Sequence, residues 1–229
     1  QGQMGNSEVG HMNLGAGRIV YQDLTKINIS IEQNKLKKEK VIVETFEFAK
    51  KNNKKIHFLG LVSDGGVHSH TNHLKGLIDI AKEYNIESYI HGFTDGRDVD
   101  PKFGSGYISD LNDYIKNSSI QIASITGRYY AMDRDKRWER VKIVYDALVN
   151  GEGEKTQNVL KSIQDNYEND VTDEFIKPLI ENIHLIRFTA KSLLNLHRNW
   201  FNAQGERIKR EQKEMINKIT PEYVFDLKK

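Results

Sequence analysis

The chain contains no cysteine, which removes both a disulfide framework and thiolate chemistry from consideration. It has no apolar run approaching the roughly 18 residues that a bilayer-spanning helix needs. Charge of one sign is missing as well: 34 basic against 32 acidic residues leave a formal net charge of +2, too small for a long-range field that would draw nucleic acid or an anionic membrane. Three motifs are absent, G-x-x-x-x-G-K-[ST], G-x-G-x-x-G and H-E-x-x-H, so the sequence carries no P-loop, dinucleotide fingerprint or zinc-protease helix. No basic start followed by an apolar stretch marks a signal peptide. These absences lead to the expectation of a soluble cytoplasmic protein with no nucleic-acid and no membrane partner. Because the chain starts at Gln1 rather than Met, a piece of something longer is expected.

What is present suits one α/β domain with short extensions: 229 residues, 38% of them hydrophobic, suffice for a core of moderate size. Residues 19–51 read as a polar segment followed by a helix, "VIVETFEFAKKNNKK", with Val41, Phe46 and Phe48 near helical spacing and Asn52 and Asn53 as the stop. Three stretches then repeat one plan of apolar strand, polar loop and amphipathic helix. In the first, Ile56 to Val62 make the strand, and Leu74, Leu77, Ile78 and Ala81 line one helix face. The second is "ESYIHGFTDGRDVDPKFGSGYISDLNDYIK". In the third, Trp138, Val141, Val144, Tyr145 and Leu148 recur along one helix. This alternation predicts an α/β fold: a largely parallel sheet flanked by helices on both faces, in three α/β/α layers.

In open parallel sheets, ligands gather where loops leave the carboxyl ends of the strands. The three loops expected there are "SDGGVHSH", "FTDGRDVDPKFG" and "TGRYYAMDRDKR", which together hold Asp64, His68, His70, Asp95, Arg97, Asp98, Arg128, Asp133 and Arg134. Arginines converging with aspartates and a histidine suit a small polyanion, because a guanidinium fork meets carboxylate or phosphate oxygens in pairs. A phosphorylated carboxylic acid fits that description, and an aspartate held by a neighbouring arginine could exchange a proton with a substrate hydroxyl. Taken singly, each feature has a plainer reading. "TDGRD" could be a turn with Arg97 in a surface ion pair, residues 134–140 a solvated helix face, and His68 and His70 ordinary loop residues rather than metal ligands. Their coincidence at one sheet edge favours a site. Ser7, in "MGNSEVGHMNLGAGR", has no activator at an identifying spacing and reads on its own as part of a flexible glycine loop.

Four segments, "QMGNSEVGHMNLGAGRIVYQDL", "SDGGVHSHTNHLKGL", "HGFTDGRDVDP" and "TGRYYAMDRDKRWERV", resemble, in order, the signature segments of the cofactor-independent phosphoglycerate mutases. The resemblance covers roughly residues 1 to 180. It implies a two-domain manganese isomerase that interconverts 3-phosphoglycerate and 2-phosphoglycerate in glycolysis and gluconeogenesis. One domain would be alkaline-phosphatase-like, with two Mn2+ ions and a serine nucleophile, and the inserted domain would hold the glycerate. By motif, Ser7 would carry the phosphoryl group and contact metal. His68, Arg97, Asp98, Arg128 and Arg134 would bind substrate, with Asp98 a candidate for proton exchange. The glycines around Ser7 would form a tight, exposed turn.

The pattern breaks at both ends. The family has a strand carrying a metal-binding aspartate upstream of "MGNSEVGH", and only three residues precede Met4 here. After "VTDEFIKPLI" the family continues into an arginine-rich segment and further metal ligands, whereas Arg187 and Arg198 stand at other spacings and receive no role. Residues 183–229 hold ten basic and five acidic side chains, a net +5, and include "ERIKREQKEMINKI", a plausible exposed helix with a thin seam of Ile208, Met215 and Ile219. The chain is thus expected to divide into a nucleophile segment (1–18), a substrate-binding transferase domain (19–182) and an unaligned basic tail (183–229). It would be a monomer, incomplete and inactive by itself. The alternatives are a non-catalytic module that binds glycerate phosphates and an interaction protein that uses the tail.

Overall fold

The repeating strand, loop and helix plan becomes a sheet because its apolar strands can bury both faces only under helices. A computed structural model describes residues 7–19 and 21–181. In chain order the elements are α1 (Ser7–Ala16), α2 (Asp23–Glu32), a 3-10 turn at Leu36–Lys38, α3 (Lys40–Lys51), β1 (Ile56–Leu61), α4 (Thr71–Tyr84), β2 (Ser88–Thr94), α5 (Gly104–Ile115), β3 (Ile120–Gly127), α6 (Arg128–Ala131), α7 (Trp138–Asn150), β4 (Glu154–Lys155), α8 (Val159–Glu168), a second 3-10 turn at Asp173–Phe175, and β5 (Leu179–Ile180). No helix among the described residues is long and apolar enough to cross a membrane. The basic tail lies outside the described residues.

The sheet runs in the order β1-β2-β3-β5-β4. β1, β2 and β3 are parallel, with Phe58 opposite Ile90 and Ile90 opposite Ile122. That row belongs to the larger core, which Phe46, Ala49, Ile78, Ala81, Ile108, Leu111, Val159 and Ile163 complete from α3, α4, α5 and α8. Strand side chains alternate between faces, so Leu59 points away from Phe58, and it packs against Val144 and Leu148 of α7. Helices therefore cover both faces, as the sequence predicts. β5, however, is antiparallel to β3, through Ser124 opposite Ile180 and Ile125 opposite Leu179. The cause is the route of the chain after α8. The turn at Asp173–Phe175 crosses the carboxyl ends of β2 and β3, where Thr94 Oγ1 donates to Asp173 O and Gly127 N–H to Ile176 O, both at 2.7 Å. β5 enters at that end and must run back.

Two expectations need correction. Val41 and Phe48 of α3 are exposed, whereas Phe46 and Ala49 are buried; Val41 and Phe48, seven residues apart, share the solvent face, and Phe46 turns inward to meet Tyr84 with ring centroids 5.2 Å apart. The stretch around Ser7 is a helix, not a glycine turn. Gly10 and Gly15 sit inside α1 with open space where a Cβ would go, and only Gly17, just after the helix, takes the left-handed conformation at φ +59°.

The face of the sheet opposite the Phe58 row carries a buried polar chain. His57 Nδ1 lies 3.0 Å from His91 Nε2, and His91 Nδ1 lies 2.8 Å from Ser124 Oγ. Burial disfavours the imidazolium, taking His91 down to about 3 and His57 to about 4 from 6.5. The unfolded chain takes up these protons near pH 6.5 while the folded one does not, so their stabilisation is complete above that pH and declines as pH falls toward the folded values. Urea unfolding should therefore show a loss of about 2 kcal/mol from His91 alone between pH 7 and 5, with His57 adding to it. A free energy of unfolding that stays flat over that interval would contradict neutral, buried histidines.

Candidate functional site

At the carboxyl ends of β1, β2 and β3 the loops bring charge inward rather than toward solvent. Asp95 follows the last residue of β2, and its Oδ1 accepts the backbone N–H groups of Arg97 and Asp98 at 3.2 and 2.9 Å. This closes a tight turn that places Gly96 at φ +63°. Ser63, just beyond β1, donates its hydroxyl to Asp95 Oδ2 at 2.8 Å. From the first residue of α6, Arg128 donates through Nη1 to Asp95 Oδ1 at 2.6 Å and to Asp98 Oδ2 at 2.5 Å. The Arg128 side chain is 8% exposed and that of Asp95 3%. His68 Nε2 stands 3.7 Å from the same Asp98 Oδ2, so Asp98 is where loops from all three strands meet.

Burial works against the ionised form of Asp95. The N–H of Asp98, the Arg128 guanidinium, the Ser63 hydroxyl and the N–H of Arg97 outweigh it and hold its carboxyl below the usual carboxylate range. For Arg128 burial likewise opposes the charge, and the two aspartates more than restore it. Two carboxyl groups against one guanidinium give the cluster of Asp95, Asp98 and Arg128 a formal charge of one unit negative. An anionic ligand needs further cations to enter, and the adjacent loops supply them.

Arg97 is one. Its side chain is mostly exposed and its Nη1 lies 3.8 Å from Glu174 Oε1, a separation at which the pair contributes little. Arg134 is the other, exposed in the loop between α6 and α7. That loop is pinned by its neighbour Asp133, whose Oδ2 accepts the N–H groups of Asp135 and Arg137 at 3.2 and 2.9 Å and whose Oδ1 lies 3.4 Å from Arg140 Nη1. Arg140 in turn stacks 3.7 Å above the Tyr129 ring. Of the residues expected at the site, Asp98 meets both His68 and Arg128, while Arg97 stands beside it on the same loop and Arg134 on the loop after α6.

Ser7 is exposed in α1. His11 Nδ1 sits 2.7 Å from the Ser7 carbonyl oxygen and 3.4 Å from its Oγ. A carbonyl oxygen only accepts, so Nδ1 carries the proton and is no base for the serine. His70 is no partner of His68: its Nδ1 accepts the Asn72 N–H at 3.1 Å and caps α4. Among the described residues no group of three or more His, Asp or Glu side chains is placed to hold a metal ion. Sequence reasoning gathered Asp95 into the right loop without giving it a role, and passed over Ser63. The signal for Asp95 was its place directly after a predicted strand and before a glycine, where a carboxylate can bond the amides of the next turn.

Chemically the arrangement sets guanidinium groups beside a carboxylate, Asp98. Comparisons with known proteins find relatives of one description. A family model described as the BPG-independent PGAM N-terminus matches residues 27–187. A 2,3-bisphosphoglycerate-independent phosphoglycerate mutase of Flavobacterium johnsoniae is 66% identical over 181 residues, covering 79% of this chain and 36% of the relative. The protein of the same description from Bacteroides fragilis is 59% identical over 180 residues, covering 78% and 36%. Among solved structures, one from crystals of Leishmania mexicana phosphoglycerate mutase at low cobalt concentration superposes with a TM-score of 0.68 at 31% identity, over 77% of this chain and 34% of that one. The chain spans about a third of the length of the relatives it matches.

The buried pair sets a stability order. Asp95→Ala takes from the buried Arg128 one of its two carboxylates and leaves the Ser63 hydroxyl and the Arg97 and Asp98 amides without their acceptor, and should cost about 3 kcal/mol. Asp98→Ala should cost clearly less, since the Asp98 side chain is 21% exposed and water replaces part of what it gave. Urea denaturation of both variants measures the order, and the reverse order would show that Asp98 is the anchor.

Proposed function

The chain belongs to the BPG-independent PGAM N-terminus family, and from that premise we propose that residues 21–181 form the phosphoglycerate-holding part of a cofactor-independent phosphoglycerate mutase. The observation that carries this reading is the hydrogen-bonded Asp95–Arg128–Asp98 cluster, with His68 beside it, Arg97 on the Asp98 loop and Arg134 on the loop after α6. A phosphoglycerate bears one carboxylate and one phosphate. Guanidinium groups meet both through paired hydrogen bonds, with Arg97 and Arg134 supplying the positive charge that the Arg128 cluster lacks. Nη1 is the only Arg128 nitrogen with a partner among the described residues, which leaves its other N–H groups for a ligand oxygen.

In the reaction the phosphoryl group leaves one hydroxyl of the glycerate and returns to the other. Between the two steps the glycerate oxygen that gave up the phosphoryl group takes a proton and the hydroxyl that will receive the group loses one, and Asp98 is the carboxylate we assign to carry that proton from the second oxygen to the first, with Arg128 and His68 steadying its charge. Ser7 is the residue we assign to carry the phosphoryl group in the meantime, its own hydroxyl proton passing to water as the phosphorus–oxygen bond forms and returning when that bond breaks. The two Mn2+ ions that such an enzyme would use find no built site among the described residues. The wider reading is a cytoplasmic, monomeric enzyme acting on small molecules. A glycerate-phosphate-binding module without turnover shares the same binding site, and the rival use of the tail rests on residues outside those described.

Titration calorimetry of this chain with 3-phosphoglycerate tests the reading. Binding is expected, and Arg134→Ala should weaken it about tenfold, or 1.4 kcal/mol, with no change in melting temperature because Arg134 is exposed. Absence of binding at millimolar ligand, or an Arg134→Ala variant that binds as well as the parent, would overturn it.

A further inference from the structure

Asp173 has no part in that binding set, yet it is fully buried and no cation among the described residues pairs with it. Its bonds share one target. Its carbonyl oxygen accepts Thr94 Oγ1 at 2.7 Å, its N–H donates to Pro101 O at 2.9 Å, and its Oδ2 accepts the Gly104 N–H at 2.7 Å, while Oδ1 accepts the Tyr167 hydroxyl. Thr94 ends β2 and Gly104 begins α5, so a single residue holds both ends of the loop that carries Asp95, Arg97 and Asp98. The contact is too close for other side chains. A Cβ on Gly104 would lie 2.3 Å from Asp173 Oδ1, one on Gly96 would lie 2.8 Å from Asp173 Cβ, and one on Gly127 would lie 2.3 Å from Glu174 O.

Gly127 directly precedes Arg128, and its N–H donates to Ile176 O at 2.7 Å. Next along the strap, Glu174 faces Arg97, and Phe175 lies 5.0 Å from Tyr129 between ring centroids. Residues 173–176 therefore brace the two loops whose side chains form the charged cluster. A carboxylate suits the central position because two donors, the Gly104 amide and the Tyr167 hydroxyl, converge there and each needs an acceptor.

We propose that Asp173 is the positioning residue of the site: by fastening both ends of the Thr94–Gly104 loop it sets the Asp95 turn and, through it, the Arg128 clamp. The proposal rests on the phosphoglycerate-binding reading for its consequence, but not for its geometry.

Two measurements separate those parts. Hydrogen exchange of the ligand-free chain follows the Arg97 and Asp98 amides, which bond to Asp95 Oδ1. They should exchange at least tenfold faster in Asp173→Ala. In Asp173→Asn, which retains an oxygen for Gly104 and both backbone bonds, they should stay within about threefold of the parent. If Asp173→Ala does not fold, Thr94→Val, which deletes one anchoring bond without changing shape, should accelerate the same amides at least threefold. Unchanged protection overturns the proposal. Calorimetry with 3-phosphoglycerate, below each variant's melting transition, should then show at least tenfold weaker binding in Asp173→Ala, recovery in Asp173→Asn, and no change in Ile163→Val, a core variant far in role from the loops. Loosened amides with undiminished affinity also overturn the proposal. A parent chain that binds no 3-phosphoglycerate overturns the binding reading alone, and the exchange result still decides whether Asp173 positions the loop.

Discussion

The interaction on which the rest of the site depends is the pairing of one arginine nitrogen with two aspartates. Arg128 Nη1 spends both of its hydrogens on Asp95 and Asp98, in a place nearly closed to water. Such a pair gains little net free energy over apolar packing, because desolvating the charges offsets most of their attraction. Its effect is on geometry. Once buried, a guanidinium that loses either partner is strongly penalised, so each loop is held to the position in which the other can satisfy it. Just beyond the last paired residues of β2 and β3, Thr94 and Gly127, the two loops are joined by charge, and His68 from the β1 loop reaches the same Asp98 oxygen.

The formal negative charge of this cluster also separates the arginines around it into two kinds. Arg128 is buried, committed and stationary. Arg97 and Arg134 are exposed and weakly engaged, so they can turn toward a ligand without breaking a strong bond. A site made only of buried pairs would be rigid but would repel an anion, and one made only of exposed arginines would attract anions without orienting them. On the proposed reading the combination gives orientation from Asp98 and Arg128 and attraction from Arg97 and Arg134.

Much of this was legible in the sequence, for reasons that can be named. β1, β2 and β3 announce themselves as short apolar runs ending in Gly- and Asp-rich loops, and parallel connectivity then requires those loops to share an edge. Faces were harder. Val41, Phe46 and Phe48 stand near helical spacing, yet the buried face of α3 is decided by contacts such as that of Phe46 with Tyr84, far along the chain. Around Ser7 the glycines suggested a turn, but two of them fall where helical backbone is tolerated without any close approach. Asp173 was the least visible: its partners Thr94 and Gly104 lie 79 and 69 positions away, and no local pattern records such a contact. The antiparallel β5 follows from the same crossing.

Burial without a counter-charge recurs in this domain, and its two instances act differently. His57 and His91 are kept neutral, so their chain to Ser124 adds order to the sheet without bringing an unpaired charge into it. Asp173 is also pushed toward its neutral form by burial, and the Tyr167 hydroxyl and Gly104 amide push back. The difference lies in the donors available. Imidazole pairs can share protons between themselves, whereas a carboxylate must be supplied with donors from outside, and here one comes from Gly104 at the end of the Asp95 loop and the other from Tyr167 of α8. The demand of one buried acid for two donors thus becomes a constraint on where a distant loop can sit. That makes an otherwise costly buried group useful: it converts hydrogen-bond satisfaction in the interior into placement of charge at the rim.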